Sequence, residues 1–212
     1  MEFDLINIDK WKNASRYKYF FNDCRCTFSM TTNIDVTKFV LSIKNKCMKF
    51  YPCYVYIVSK IVNMYDEYRM GFNNKNELGV WKNLNPCFPN FHDDDKTISM
   101  LWLKYKSNFD EFYNDFINER EKYKFKHGYF VQNDMPQNIF QVSCIPWTEF
   151  TALNFQMFNT GLYFFPIVVC GKYFKKDNKI LLPVSVQLHH AVCDGYHMCR
   201  FFDELQNGMN EL

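Results

Sequence analysis

The chain has 212 residues, 48% of them hydrophobic and 19% aromatic, and a formal net charge of +2. That length suits one domain around one core, and the hydrophobic content excludes a disordered chain. The basic residues are spread along the chain with no basic arm, which leaves no field to hold nucleic acid, and no apolar run approaches a membrane span.

Residues 24–33 alternate and are rich in β-formers, so they read as a strand. Asp35 is placed as an N-cap. Val36, Phe39, Val40, Ile43 and Cys47 follow at helical spacing. Pro52 suits the first turn of a second helix that carries Tyr56, Ile57, Ile61 and Val62. Residues 73–76 read as a turn between short strands, and 97–105 as a strand. A charged amphipathic helix is expected over about 109–122, with Phe112, Phe116 and Ile117 inward. Residues 138–147 and 164–174 read as strands, and Lys175 to Asn178 as a hairpin turn into a strand over 179–190. After Gly195 a last helix shows Cys199, Phe202, Leu205 and Met209 on one stripe. Strands and helices alternate irregularly and hairpins are present. The fold class expected is α/β in the α+β sense, a two-layer sandwich with a mixed sheet covered by helices.

Nine cysteines stand at 24, 26, 47, 53, 87, 144, 170, 193 and 199. No CxxC pair occurs, so the common zinc and thioredoxin signatures are absent. The count is odd, and the opening Met1-Glu2-Phe3-Asp4 is acidic where a secretory leader is basic. These features predict reduced thiols in a cytoplasmic protein.

The sharpest signal is the run His189-His190-Ala191-Val192-Cys193-Asp194-Gly195. Period-2 reading of the preceding strand puts Val184, Val186, Leu188 and His190 on one face and Ser185, Gln187 and His189 on the other. A histidine closing an apolar row is partly withdrawn from water, an environment that favours the neutral ring a general base must have. Asp194-Gly195 then turns the chain into the last helix, with the carboxylate near its positive end. Most single histidines are satisfied core or surface residues. Two in a row ahead of Asp-Gly shift the balance toward catalysis. Zinc on His189, His190, His197, Cys193 and Cys199 ranks well below, because neighbours on a strand point to opposite faces.

The stretch Gln187 to His197 resembles the active-site signature of the chloramphenicol acetyltransferase family. The likeness extends along the chain through Trp11, Cys26-Thr27-Phe28-Ser29, Lys49-Phe50-Tyr51-Pro52, Glu67-Tyr68-Arg69, Glu77-Leu78-Gly79, Phe91-His92, Ser143-Cys144-Ile145-Pro146-Trp147 and Leu182-Pro183. It implies acetyl-CoA as co-substrate with no permanently bound cofactor and no metal, a chloramphenicol-like acceptor, and antibiotic resistance. It also implies a homotrimer with active sites between subunits. His190 is then the general base, Ser143 the donor to the oxyanion, and Asp194 a holder of the active-site loop. The family pairs that aspartate with an arginine where this chain has Asn13, so Asn13 or Arg16 is expected to serve Asp194 instead. Phe20, Cys26, Phe28, Ile98, Leu153, Phe155 and Val169 fall where the family binds the acceptor, and Lys49, Tyr51, Lys172 and Tyr173 where it meets coenzyme A. Phe20, Ile98 and Val169 replace residues common in the family. Those changes open the alternative of another hydroxyl acceptor, and the missing arginine at Asn13 with the missing hydroxyl at Val169 opens that of a homologue that binds drug or coenzyme without turnover.

Overall fold

In the computed structural model, residues 2–156 and 162–212 are described. Strand β1 (Phe3–Leu5) precedes helix α1 (Ala14–Lys18), which widens into a π-helical turn at Tyr19–Asp23. Strand β2 (Thr27–Asp35) leads to α2 (Thr37–Asn45), α3 (Phe50–Met64) and the short α4 (Asp66–Arg69). Strands β3 (Met70–Phe72), β4 (Leu78–Trp81), β5 (Asn85–Phe91) and β6 (Ile98–Trp102) follow, then α5 (Phe109–Lys122). The last third holds β7 (Ile139–Cys144), β8 (Ile167–Cys170), β9 (Phe174–Lys176), β10 (Lys179–His189) and α6 (Gly195–Glu211).

The large sheet runs β2-β10-β8-β7-β5-β6, with β9 paired beside β10. Strand β7 is parallel to β5 and β8, and the other pairs are antiparallel. A small sheet, β1-β4-β3, is antiparallel throughout. The architecture is therefore the mixed, open sheet under helices expected of an α+β fold. One topological fact matters for function. Because β8 is parallel to β7 and antiparallel to β10, the C-terminal ends of β7 and β10 lie at opposite ends of the sheet.

Helix α3 is apolar nearly all round, as suits a helix enclosed by other elements. Its Cys53, Tyr54, Val55 and Val58 are fully buried. Helix α6 packs closely on it: a Cβ added at Gly208 would lie 2.7 Å from Ile57 Cγ2, so a side chain there would force Ile57 or the helix to shift. Helix α5 spans 109–122 as its pattern predicts. Asn108 accepts a hydrogen bond from the Glu111 N–H at 3.0 Å, acids fill the first turn, and Arg120 and Lys122 the last. Phe112 and Phe116 are buried and Phe116 stacks on Phe88 at 4.4 Å, while Ile117 is only half-buried.

Several boundaries differ from the sequence pattern. Strand β2 begins at Thr27, not Cys24, because its pairing with β10 starts at Thr27↔His189. Asp35 ends that strand. Val36 is the residue before α2, and the Asp35 carboxylate accepts from the N–H and the hydroxyl of Thr37. Cys47 lies past the helix with φ 53° and is exposed. The 97–105 strand shortens to Ile98–Trp102 and the 138–147 strand to Ile139–Cys144. The 164–174 run holds β8 and the start of β9, and the turn narrows to Asp177-Asn178, whose φ of 48° and 61° suit a two-residue hairpin. On α6, Cys199 is exposed, and Met198 and Phe201 are the residues packed inward beside Phe202 and Leu205.

Candidate active site

Strand β10 stops at His189, one residue short of the expected end, so alternation does not set the direction of His190. Its backbone N–H donates to the Cys26 carbonyl at 3.0 Å, just past the last rung with β2. The ring lies between Phe20, stacked at 4.0 Å and 4°, and Phe28 at 4.8 Å. His190 Nδ1 is 3.1 Å from the Cys193 carbonyl oxygen. A carbonyl only accepts, so Nδ1 carries the proton and Nε2 presents its lone pair. That is the tautomer a general base needs, held by two aromatic rings and one hydrogen bond.

His189 closes the polar row of β10, and that row is buried. Ser185, Gln187 and His189 are all buried, because the 145–156 segment covers that face: the Ser185 hydroxyl donates to the Leu153 carbonyl and the Phe155 N–H to Gln187. His189 Nδ1 accepts from the Ala191 N–H at 3.1 Å, and the ring sits 4.5 Å from Phe164. Burial, with help from His190 and Arg25, pushes its pKa down from 6.5 to about 4. A histidine depressed in the folded state costs nothing above 6.5, and the unfolded chain gains as pH falls from 6.5 toward 4. We therefore expect a loss of about 3 kcal/mol across that window. Thermal unfolding followed against pH should show it, and His189→Leu should flatten that part of the profile.

Asp194 caps α6, accepting from the Tyr196 N–H at 3.0 Å. Its other oxygen is ion-paired with Arg16, whose second nitrogen donates to the Val192 carbonyl at 3.1 Å. Arg16, one helical turn beyond Asn13, is thus the partner; Asn13 stands at the start of α1 with no side-chain capping bond. His197 Nδ1 lies 2.7 Å from Asp194, and its Nε2 lies 3.4 Å from Glu67. Arg200 holds Glu67 at 3.0 Å and sits 3.7 Å over the Tyr65 ring. Burial pushes the Asp194 carboxyl up, but His197 and Arg16 outweigh it and hold it below its usual range. Glu67 is lowered to about 2, first by His197 and then by its other hydrogen bonds and Arg200 against burial. The chain Arg16–Asp194–His197–Glu67–Arg200 balances two guanidiniums against two carboxylates and clamps the loop that carries His190. Arg16→Ala should cost about 1–3 kcal/mol in denaturant unfolding, since it strands a half-buried carboxylate and the Val192 carbonyl. Arg16→Lys should recover only part, because an ammonium cannot reach both acceptors as a planar fork does.

Ser143 lies elsewhere. Near the C-terminal end of β7 it lines a cavity of about 740 Å³ together with Tyr51, Ile98, Arg120, Lys172 and Tyr173. Lys49 is exposed at the start of α3, where its N–H donates to the Tyr113 hydroxyl, and it does not line this cavity. Val169 is buried in the sheet, in register with Ser143 on one side and Ser185 on the other. From that register, His190 is five residues along and two strands across from Ser143, roughly 16 Å by about 10 Å. The acceptor residues expected together are therefore divided. Phe20, Cys26 and Phe28 surround His190, Ile98 belongs to the cavity of Ser143, and Leu153 and Phe155 cover β10. Among the described residues of one chain, the cavity that Ser143 lines does not include His190.

The residues that sequence reasoning missed are Glu67 and Arg200 in the clamp and Arg120 in the cavity. The spacing of Asp194 and His197, one helical turn apart at a helix start, was the available signal for the clamp. Arg120 had none. Among the described residues, His92, Asp94 and His127 bring possible metal-ligand atoms within 4.8 Å. His92, however, already engages both ring nitrogens, with the Lys124 carbonyl and the Ser99 hydroxyl. His189, His190 and His197 do not converge in this way.

The family model "Chloramphenicol acetyltransferase" matches residues 1–206. A chloramphenicol acetyltransferase of Clostridium perfringens is 43% identical over 206 residues, 97% of this chain and 94% of its own. One of Clostridium butyricum is 41% identical with the same coverage. A solved chloramphenicol acetyltransferase structure superposes with a TM-score of 0.86 at 16% identity, covering 98% of this chain and 99% of the other, a likeness of fold.

Proposed function

The chain belongs to the chloramphenicol acetyltransferase family, and from that premise we propose that it moves the acetyl group of acetyl-CoA to a hydroxyl of chloramphenicol, with His190 as the base. His190 Nε2 takes the hydroxyl proton while the oxygen attacks the thioester carbonyl. The carbonyl oxygen becomes an oxyanion, and Ser143 donates a hydrogen bond to it. When the intermediate collapses, the C–S bond breaks and the imidazolium returns its proton to the leaving thiolate. The observation that carries this reading is the fixed tautomer of His190, with Nδ1 tied to the Cys193 carbonyl and Nε2 open. A positioned histidine base contributes roughly 10²–10⁴-fold, and no protein nucleophile is required.

The cavity of Ser143 takes the coenzyme, with Tyr51, Lys172 and Tyr173 along it. The acceptor lies against Phe20, Cys26 and Phe28 beside His190. Asp194 acts on the loop, not on substrate. Since base and oxyanion donor stand at opposite ends of one sheet, the working site joins His190 of one copy to Ser143 of the next. A ring of three copies, as the family resemblance implies, closes such a head-to-tail contact. No helix among the described residues is long and apolar enough to cross a membrane, and the described cysteines are all free thiols. These features support a reduced, cytoplasmic setting.

The test is complementation. Thiol release from acetyl-CoA with chloramphenicol is measured for His190→Ala, for Ser143→Ala, and for assemblies refolded from a mixture of the two. Both single variants should be at least about 10²-fold impaired, and the mixture should regain activity, because each mixed ring contains an intact pair. A mixture that stays inactive while co-assembly is demonstrated would sink the shared-site reading. Wild-type protein without chloramphenicol-dependent thiol release would sink the reaction.

A further inference from the structure

Cys144 follows Ser143 on β7 and lines the same cavity, beside Tyr51, Gly171, Lys172 and Tyr173. Its register partner on the adjacent parallel strand β8 is Cys170, fully buried behind it. In-register neighbours share a face of the sheet. Their strand spacing of about 4.8 Å falls inside the Cα range a disulfide spans. The two thiols also differ in readiness. The Cys170 thiol holds Cys144 below its ordinary range despite burial, whereas burial pushes Cys170 well above its own. Of the two, Cys144 lines the cavity and Cys170 is fully buried behind it, so the cavity presents one attacking thiol backed by one resolving thiol.

We propose that Cys144, backed by Cys170, is a site of thiol–disulfide exchange with the disulfide form of coenzyme A. This rests on the reading of the cavity as the coenzyme site. In the proposed reaction the thioester carbonyl sits at Ser143; alternation turns Cys144 to the other face of β7, but it lines the same cavity, along which the coenzyme sulfur is carried. A coenzyme disulfide seated the same way offers its S–S bond there. The Cys144 thiolate attacks one sulfur, the S–S bond breaks, and one coenzyme leaves as thiolate. Cys170 then gives its proton to solvent and attacks the Cys144 sulfur, and the second coenzyme leaves as thiolate. Two protein thiols are oxidised to one disulfide, and one coenzyme disulfide is reduced to two thiols. Either product obstructs the cavity beside Ser143, and a reductant reverses it.

The experiment exposes the intact protein to coenzyme A disulfide or, at equal concentration, to oxidised glutathione, and maps each cysteine by peptide mass spectrometry over time. Binding in the cavity raises the local reagent concentration, so Cys144 should react at least about tenfold faster with the coenzyme disulfide than with glutathione disulfide. The exposed Cys24, Cys47 and Cys199 provide the internal reference and should show no such preference. Excess acetyl-CoA should protect Cys144. The wild type should proceed to a Cys144–Cys170 bridge, and Cys170→Ala should stop at the mixed disulfide. Cys144 unmodified by both reagents, or modified by the coenzyme disulfide with no preference over the exposed cysteines, overturns the proposal. Chloramphenicol-dependent thiol release, measured on the untreated sample, separates the two failures. Protein that turns over yet shows no preference at Cys144 overturns this inference alone, and protein that does not turn over overturns the cavity assignment beneath it.

Discussion

Replacing His190 with alanine should lower the turnover of acetyl-CoA and chloramphenicol by about 10²–10⁴-fold, the range for loss of the positioned general base that the proposed mechanism requires. The KM for acetyl-CoA should stay near its wild-type value, since Tyr51, Lys172 and Tyr173 border a cavity at the other end of the sheet. Steady-state kinetics should therefore show the loss in kcat. Alanine also opens a gap between Phe20 and Phe28, where the imidazole now stacks on Phe20 at 4.0 Å and meets the tilted Phe28 ring at 4.8 Å. His190→Gln tests whether that gap matters. It keeps much of the volume and offers an amide N–H to the Cys193 carbonyl, but supplies no base. Equal losses in the two variants assign the effect to proton transfer. Retained activity in His190→Gln would remove His190 from that role.

Ser143→Ala should lower kcat by about 10²–10³-fold, equivalent to roughly 2.7–4 kcal/mol of oxyanion stabilisation. In the proposed mechanism the hydroxyl serves the charge that develops during attack, so ground-state binding should change little and KM should again hold. Folding should be unaffected, because Ser143 sits at a cavity wall on a strand paired on both sides by β5 and β8. A loss confined to KM would recast Ser143 as a binding residue. Placing both substitutions in one chain should cost little more than the worse of them, because donor and base act on one transition state and such effects are far from additive.

How much of this was legible in the sequence depends on the range of the interaction. Helix α5 and the entry into α6 rest on neighbours within one turn, Asn108 with Glu111 and Asp194 with His197, and their patterns placed them well. The alternation along β10 was legible through His189 but ran one residue too far, because the strand stops where its antiparallel partner β2 begins. That limit is set by Thr27, far away in the chain. Hidden altogether was the direction of each strand. Signature residues at the ends of β7 and β10 look alike in sequence, yet antiparallel placement sends them to opposite ends of the sheet. The partner of Asp194 shows an intermediate case. The missing arginine at Asn13 was visible, but only folding shows that α1 carries Arg16, 178 positions away, into the gap.

With the proposed site shared between copies, the opposed ends of β7 and β10 also make activity a matter of mass action. If a lone folded chain carries two half-sites and no whole one, specific activity must fall on dilution once the protein concentration drops below the dissociation constant of the assembly, and recover on concentration. A substitution far from either half, on the surface where copies meet, would then silence the enzyme while His190 and Ser143 remain chemically intact.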